Sequence, residues 1–271
     1  MPSHKIRLLK PVDLPHLLDL SRQAGWNQTE PDWSRLLSLA PQSCFGIEAG
    51  GRIVATTTAI NYAGEVAWIG MVLTDAAHRR QGMASALIDH TLKYLKDQDV
   101  QWAKLDATEA GRPIYAKLGF QDECPVERWR RPSGKGFTPT MSRPVHPYVI
   151  DPSFDRAYFG AYRIPLLAAL TKEAQAELVV GYGYAMNRPG DRARYFGPSV
   201  VRTREAARHL ADEAELVVLE IAQAPVDQFG RGRRGAARQI AAFEQQHMAP
   251  RPAASRAIPA PLIPPPMTAM S

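Results

Sequence analysis

The sequence predicts an α/β (α+β) fold, with helices flanking a central sheet, and three observations lead there. Residues 65–74 (EVAWIGMVLT) are almost continuously apolar from Val66 to Leu73, as in a strand covered on both faces. Leu14, Leu17 and Leu18 fall at i, i+3 and i+4, the stripe of a helix with one apolar side. Residues 45–49 and 52–62 are separated by Gly50-Gly51, a two-residue turn of the kind that joins antiparallel strands.

The remaining elements follow in order. Residues 6–9 read as a short first strand, and Asp13 stands as the N-cap of a helix that Gly25 closes. After Pro31, the positions of Trp33, Leu36 and Leu37 repeat the helical spacing. The hairpin comes next, then a turn at 61–64 and the apolar strand 65–74. A helix over 82–97 carries Ala86, Leu87, Leu92 and Leu95 on its apolar side, and residues 102–107 form another strand. Gly111-Arg112-Pro113 opens a short helix that Gly119 stops, and Phe120 begins a further strand. The order β, α, α, β, β, β, α, β, α, β fills residues 1–131 as one domain.

Residues 132–152 are rich in Pro, Ser, Gly and Thr and read as a linker. A smaller second unit is expected over 153–221. It starts with a helix at 155–170, followed by strand material at 176–186 and 194–201 on either side of an Arg188-Pro189-Gly190-Asp191 turn. A helix capped by Thr203 and a last strand at 216–221 complete it. Residues 222–271 hold a possible helix at 235–248, and the final 23 residues contain seven prolines and six alanines, a composition expected to stay disordered.

Composition narrows the function classes. With 271 residues, 45% of them hydrophobic, the chain can build real cores. No apolar run reaches the roughly 18–20 residues that span a bilayer, and MPSHKIRLLK is not a leader with an apolar centre, so the expected location is cytoplasmic, with no membrane partner. Two cysteines, Cys44 and Cys124, are too few for a disulfide scaffold, and no Cys/His cluster has metal-ligand spacing, so no metal is expected. The formal charge of +6 suits an acidic ligand. The basic residues are mostly interleaved with acids, and the short runs at 128–131 and 231–234 lack the aromatic spacing of a nucleic-acid platform, so no nucleic-acid partner is expected.

The segment that carries chemistry is Val72-Leu73-Thr74-Asp75-Ala76-Ala77-His78-Arg79-Arg80-Gln81-Gly82-Met83-Ala84, where a buried strand runs through a basic turn directly into a helix. A helix start leaves its first N–H groups unpaired and carries about half a positive charge, so the amides of 81–84 can cradle phosphate oxygens. Arg79 and Arg80 add formal charge, Gly82 presents no side chain to block the anion, and Ala84 is small. The bare Arg-x-x-Gly-x-Ala pattern is common; its place between an apolar strand and an amphipathic helix is what makes it an anion site.

Arg79-Arg80-Gln81-Gly82-Met83-Ala84 resembles the acyl-CoA pyrophosphate loop of the GNAT N-acetyltransferase superfamily. Arg112-Pro113-Ile114-Tyr115-Ala116-Lys117-Leu118-Gly119-Phe120 is similar to that superfamily's late helix and following strand. Residues 105–108 ahead of Gly111-Arg112-Pro113 resemble the tandem members, which carry a second GNAT-like domain. So do Tyr162-Arg163, Gly181-Tyr182, Arg188-Pro189-Gly190 and Phe196-Gly197-Pro198 in the second half. That second domain looks incomplete after about Leu219.

The resemblance implies a mixed, mostly antiparallel sheet and an enzyme that moves an acetyl group from acetyl-CoA to the amine of a small-molecule or peptide acceptor. The competing class is a noncatalytic acyl-CoA-binding regulatory module. By the same resemblance, Met71, Val72 and Leu73 pair with the pantetheine arm through their backbone, and Arg79, Arg80, Gln81, Gly82, Met83 and Ala84 hold the pyrophosphate. Tyr115 matches the acid that protonates the departing thiolate. The base stays open between Glu65, at the start of the apolar strand, Asp106 near the end of the next strand, and a water chain; His78 is a further base in principle. Trp26, Trp33, Trp68 and Tyr62 could line the acceptor pocket or belong to the core. The second unit is expected to hold no CoA, because its Arg188-Pro189-Gly190-Asp191 turn leads into a strand and offers no helix start.

Overall fold

The structure is a computed structural model, and it describes residues 5–130, 150–179, 183–203, 206, 218–222, 249–250 and 254–259. The N-terminal part runs β1 (Ile6–Leu8), α1 (Leu14–Gln23), α2 (Glu30–Leu39), β2 (Cys44–Ala49), β3 (Arg52–Tyr62), β4 (Val66–Thr74), α3 (Met83–Asp97), β5 (Trp102–Ala107), α4 (Arg112–Lys117) and β6 (Phe120–Arg130). The second part runs α5 (Pro152–Phe159), α6 (Ile164–Leu170), β7 (Gln175–Val179), β8 (Gly183–Arg188), β9 (Tyr195–Val201), β10 (Val218–Ala222), β11 (Ala249–Pro250) and β12 (Ala254–Pro259). Among the described residues no helix is long and apolar enough to cross a membrane.

All strands join one mixed sheet in the order β1-β2-β3-β4-β5-β12-β6-β10-β9-β8-β7, with β11 also on β6. The β4–β5 and β9–β10 pairs are parallel and the others antiparallel. Gly50 and Gly51 both have positive φ (57° and 76°), the conformation a tight hairpin turn requires and most side chains resist. One face of the first half buries Leu17, Leu20, Trp33, Leu37, Met71 and Leu73 under α1 and α2. The other buries Ile69, Ile88, Leu95, Leu105, Tyr115 and Phe120 under α3 and α4. Cys44 and Cys124 are both buried, and they form no disulfide with each other.

Several sequence expectations change. Asp13 stands at the N-cap of α1 as expected, but its side chain does not bond the helix: it also ends a 3-10 turn (Pro11–Asp13), and its carboxylate accepts from the Arg7 guanidinium and the Lys10 amide, which hold it below the usual carboxylate range. The helix expected over 155–170 is two helices, because Gly160 takes φ 91° and caps α5 while Pro165 opens α6. The strand material at 176–186 divides into β7 and β8.

The largest change lies in the proline-rich tail. Expected to be disordered, it contributes Ala254–Pro259 as a strand between β5 and β6. Two facing strand edges would otherwise lie unpaired, and their backbone groups supply the hydrogen bonds that a side-chain-poor segment can take. The linker residues 131–149, the helix at 203–213 beyond Ala206 and the helix at 235–248 lie outside the described residues.

Candidate active site

The site begins with a fault in β4. Register with β3 shifts between Thr56↔Leu73 and Thr58↔Gly70, and Met71 within the shift has φ 51°. An extra residue in a strand reverses the alternation of its side chains. Ile69 therefore packs under α3 and α4, whereas Met71, two residues on, packs under α1 and α2. The buried Thr56 hydroxyl holds the bulge by donating to the Met71 carbonyl at 2.7 Å. Parallel pairing of β4 with β5 stops at Ile69↔Leu105, although β4 continues to Thr74 and β5 to Ala107. From Gly70 onward β4 no longer pairs with β5, and Met71, Val72 and Leu73 lie in that stretch of β4.

The same strand leads into the basic turn at 75–82. Arg80 (φ 63°) and Gly82 (φ 80°) are both left-handed, which turns the chain sharply into α3 and directs amides toward one side. Gly82 is the N-cap, and a Cβ built there would meet nothing within 4 Å, so the space over the helix start is open. The Ala86 amide makes the first helical bond to Gly82, leaving those of Met83, Ala84 and Ser85 at the helix start. Met83 anchors the turn, buried at 5% exposure, while Arg80 and Gln81 are exposed. Arg79 folds back toward the Thr74 carbonyl at 3.4 Å, and Gln81 reaches the Ala77 carbonyl at 3.5 Å.

Tyr115 stands on α4. Its ring packs against Phe120 at 6.0 Å between centroids and belongs to the cluster that holds Leu105 and Ala107 at the end of β5. Burial pushes its phenol up to about 12, so it is protonated at neutral pH. Among the described residues its hydroxyl makes no hydrogen bond. Asp106 is exposed on β5 between the buried Leu105 and Ala107, hence on the opposite face of the sheet from Tyr115.

Glu65 is elsewhere. It precedes β4 at the end where Val66 still pairs with Trp102, and it accepts from Arg156 of α5 at 2.5 Å. Five residues, roughly 16 Å of strand, separate it from Gly70. Of the four aromatics, Trp33 is core, its indole donating to Ser21. Trp26 packs at the edge of the α1–α2 cluster, and Tyr62 and Trp68 lie against Phe159 of α5.

Residues 5–122 match the family model described as an acetyltransferase (GNAT) domain. That match covers the N-terminal part of the chain, which to that extent is similar to GNAT-family N-acetyltransferases. It is 24% identical over 210 residues, 72% of either chain, to a Bacillus subtilis protein named as the uncharacterized N-acetyltransferase YitH. The fold matches a crystal structure from Pyrococcus horikoshii, provisionally assigned as an acetyltransferase, with a TM-score of 0.74 at 18% identity, covering 95% of this chain and 89% of that one. A GCN5-related N-acetyltransferase from Kribbella flavida matches with a TM-score of 0.52 at 15% identity, covering 94% and 70%.

Around residues 75–78 the structure adds residues that sequence reasoning passed over. Asp75 accepts from the Ala77 amide and pairs with His78 Nδ1, both at 2.9 Å, and these contacts with Gln23 hold its carboxyl below the usual range. Gln23, the last residue of α1, donates to Asp75 at 3.1 Å and accepts from the Ala76 amide at 3.3 Å. An aspartate three residues before His78 is a faint turn signal in the sequence. Gln23 has none, because Asp75 and Ala76 lie more than fifty residues from it in the sequence.

Proposed function

We propose that the GNAT domain transfers the acetyl group of acetyl-CoA to the amine of a small-molecule or peptide acceptor. The observation that carries this reading is the continuity of residues 70–84: one segment supplies an opened strand edge, then a basic turn, then an unobstructed helix start. An extended pantetheine arm can add to the β4 edge at Met71, Val72 and Leu73 while its diphosphate sits at Arg79, Arg80, Gln81, Gly82, Met83 and Ala84.

The thioester supplies an activated carbonyl, and the chain's own groups manage the protons. The acceptor nitrogen bonds to the carbonyl carbon, the carbon–sulfur bond breaks, one proton leaves nitrogen and one reaches sulfur. Tyr115 holds a proton at neutral pH and offers it to the sulfur as negative charge develops there. Asp106, exposed on the opposite face, takes the nitrogen's proton directly or through water. Glu65 is left out of this reading because of its distance and its ion pair with Arg156.

We also read 153–221 as a second GNAT-like unit. The order α5, α6, β7, β8, β9 repeats that of α1, α2, β2, β3, β4, which supports the reading. After β9 the Thr203 hydroxyl accepts from the Ala206 amide at 3.1 Å, so the chain itself takes an amide that a phosphate would need, which supports a single CoA site. One CoA per chain follows.

The test is thiol release from acetyl-CoA with a panel of primary amines. Turnover is expected with at least one amine, reduced roughly ten- to a thousandfold in Tyr115→Phe while CoA affinity stays near wild type. Equal turnover by the variant removes Tyr115 from the mechanism, and tight CoA binding without turnover on any amine overturns the enzymatic reading.

A further inference from the structure

The second half of the chain grips the corner between α1 and α2, and that corner reaches the phosphate loop. The side chain of Asn27 accepts from the amides of Arg192 (2.7 Å) and Ala193 (3.0 Å) and donates to the Ala193 carbonyl (2.8 Å), while its own carbonyl accepts from the Asp191 amide (2.9 Å). Arg192 donates to the Gly25 carbonyl at 3.2 Å, and Arg188 to the buried Asp32 on α2 at 2.6 Å. The approach is close enough to require Gly190, where a Cβ would fall 2.2 Å from Asn27 Nδ2 and 2.3 Å from the Ala193 carbonyl. Four residues before Asn27, Gln23 holds Asp75 and the Ala76 amide, and Asp75 in turn holds Ala77 and His78.

We propose that the C-terminal half sets the geometry of the CoA phosphate loop through this relay, with Asn27 and Gln23 as positioning residues. The inference rests on the CoA reading of residues 79–84. The contacts at Gln23 are exposed and individually modest, so they bias the loop toward its binding-competent arrangement rather than create it. Beyond the end of α1 the amides of Gly25 and Trp26 donate to the Arg22 and Ser21 carbonyls, both at 2.9 Å, which ties the corner to the last turn of the helix, so a displaced corner carries Gln23 with it. Because coupling between two sites is reciprocal, the occupied loop must also steady residues 188–193.

The test combines CoA titration calorimetry with amide hydrogen exchange on the full chain. Gln23→Met keeps the side chain's length but loses its hydrogen bonds. It is expected to raise the Kd for CoA about three- to tenfold and to speed exchange at 75–82. The slope of log Kd against log salt should not change, since no charge is removed. Asn27→Ala is expected to do the same from the far end of the relay and to add less than about twofold in the Gln23→Met background, because residues in one path are not additive. Gly190→Ala is a steric version of the same test. In the wild type, CoA should slow exchange at 191–193 as well as at 75–84.

A Kd within twofold of wild type in Gln23→Met, or faster exchange in Asn27→Ala confined to 188–193, overturns the relay while leaving the CoA site standing if Gly82→Val abolishes binding. Should Gly82→Val bind CoA like wild type, the site itself is wrong. Exchange at 75–82 in Asn27→Ala still decides whether the two halves are coupled.

Discussion

Tyr115 is fixed by what it cannot move past. A Cβ at Gly111 would lie 2.9 Å from the Tyr115 ring carbon Cε2 and 3.4 Å from Cζ, and the backbone there (φ −83°) is ordinary, so the glycine serves the ring rather than the turn. Gly111→Ala is expected to displace the phenol and lower turnover by about tenfold with CoA affinity unchanged, and to cost nothing further in a Tyr115→Phe background, as steady-state kinetics on the four proteins would show.

Burial of the same phenol has a consequence for stability. The folded group titrates at about 12 and the unfolded one near 10, so folding is unaffected below pH 10 and weakens as pH rises from 10 to 12. The loss is roughly 2–3 kcal/mol at the top of that window. Denaturant unfolding at pH 8 and pH 11.5 should therefore show a smaller alkaline loss in Tyr115→Phe than in wild type. Tyr62, also held up at about 12 by burial, leaves the variant some alkaline loss of its own.

Tyr115 and Gly82 were legible in the sequence because a short motif surrounds each. Gly111 was legible only as a helix opener, since the ring it touches lies in three dimensions and not in the local pattern. Asp13 was legible as the position before α1, but not its bonding, because Arg7 and the Lys10 amide take its carboxylate in place of the helix amides.

Among the elements, β4 decides the site. The apolar run announced a strand covered on both faces and the burial agrees, yet nothing in Gly70-Met71-Val72 announces the bulge. The positive φ falls on Met71 although a glycine stands beside it, because the site of the register shift is set by β3 and the Thr56 hydroxyl. Thr56→Val conserves shape and removes that donor from a carbonyl next to a fully buried side chain. It should cost ~1–3 kcal/mol in urea unfolding and weaken CoA binding; stability equal to wild type would show that the bulge holds without the hydroxyl. Helices α3 and α4 were placed within a residue or two because apolar periodicity and flanking glycines are local signals. α5 and α6 were merged because the stop at Gly160 lies inside a continuous apolar pattern.

At the scale of the molecule the two halves are not independent. β6 pairs with β12 on one side and β10 on the other, and β12 also pairs with Asp106 and its neighbours on β5. Composition could not reveal this, because a proline-rich segment gains its order from the edges it fills. A chain ending at residue 131 would leave β6 with neither neighbour, and it is expected to aggregate or to lose at least tenfold in CoA affinity; a monomeric fragment with wild-type affinity would contradict the shared sheet.

The account as a whole stands on the segment from the β4 bulge to the start of α3, and calorimetric titration of CoA into the full chain and into Gly82→Val tests it most directly. The account requires a single site in the wild type and none in the variant, because any Cβ at that φ of 80° is strained and a valine would project into the open space over the helix start. Two sites per chain, or binding that survives in a folded Gly82→Val, would contradict it.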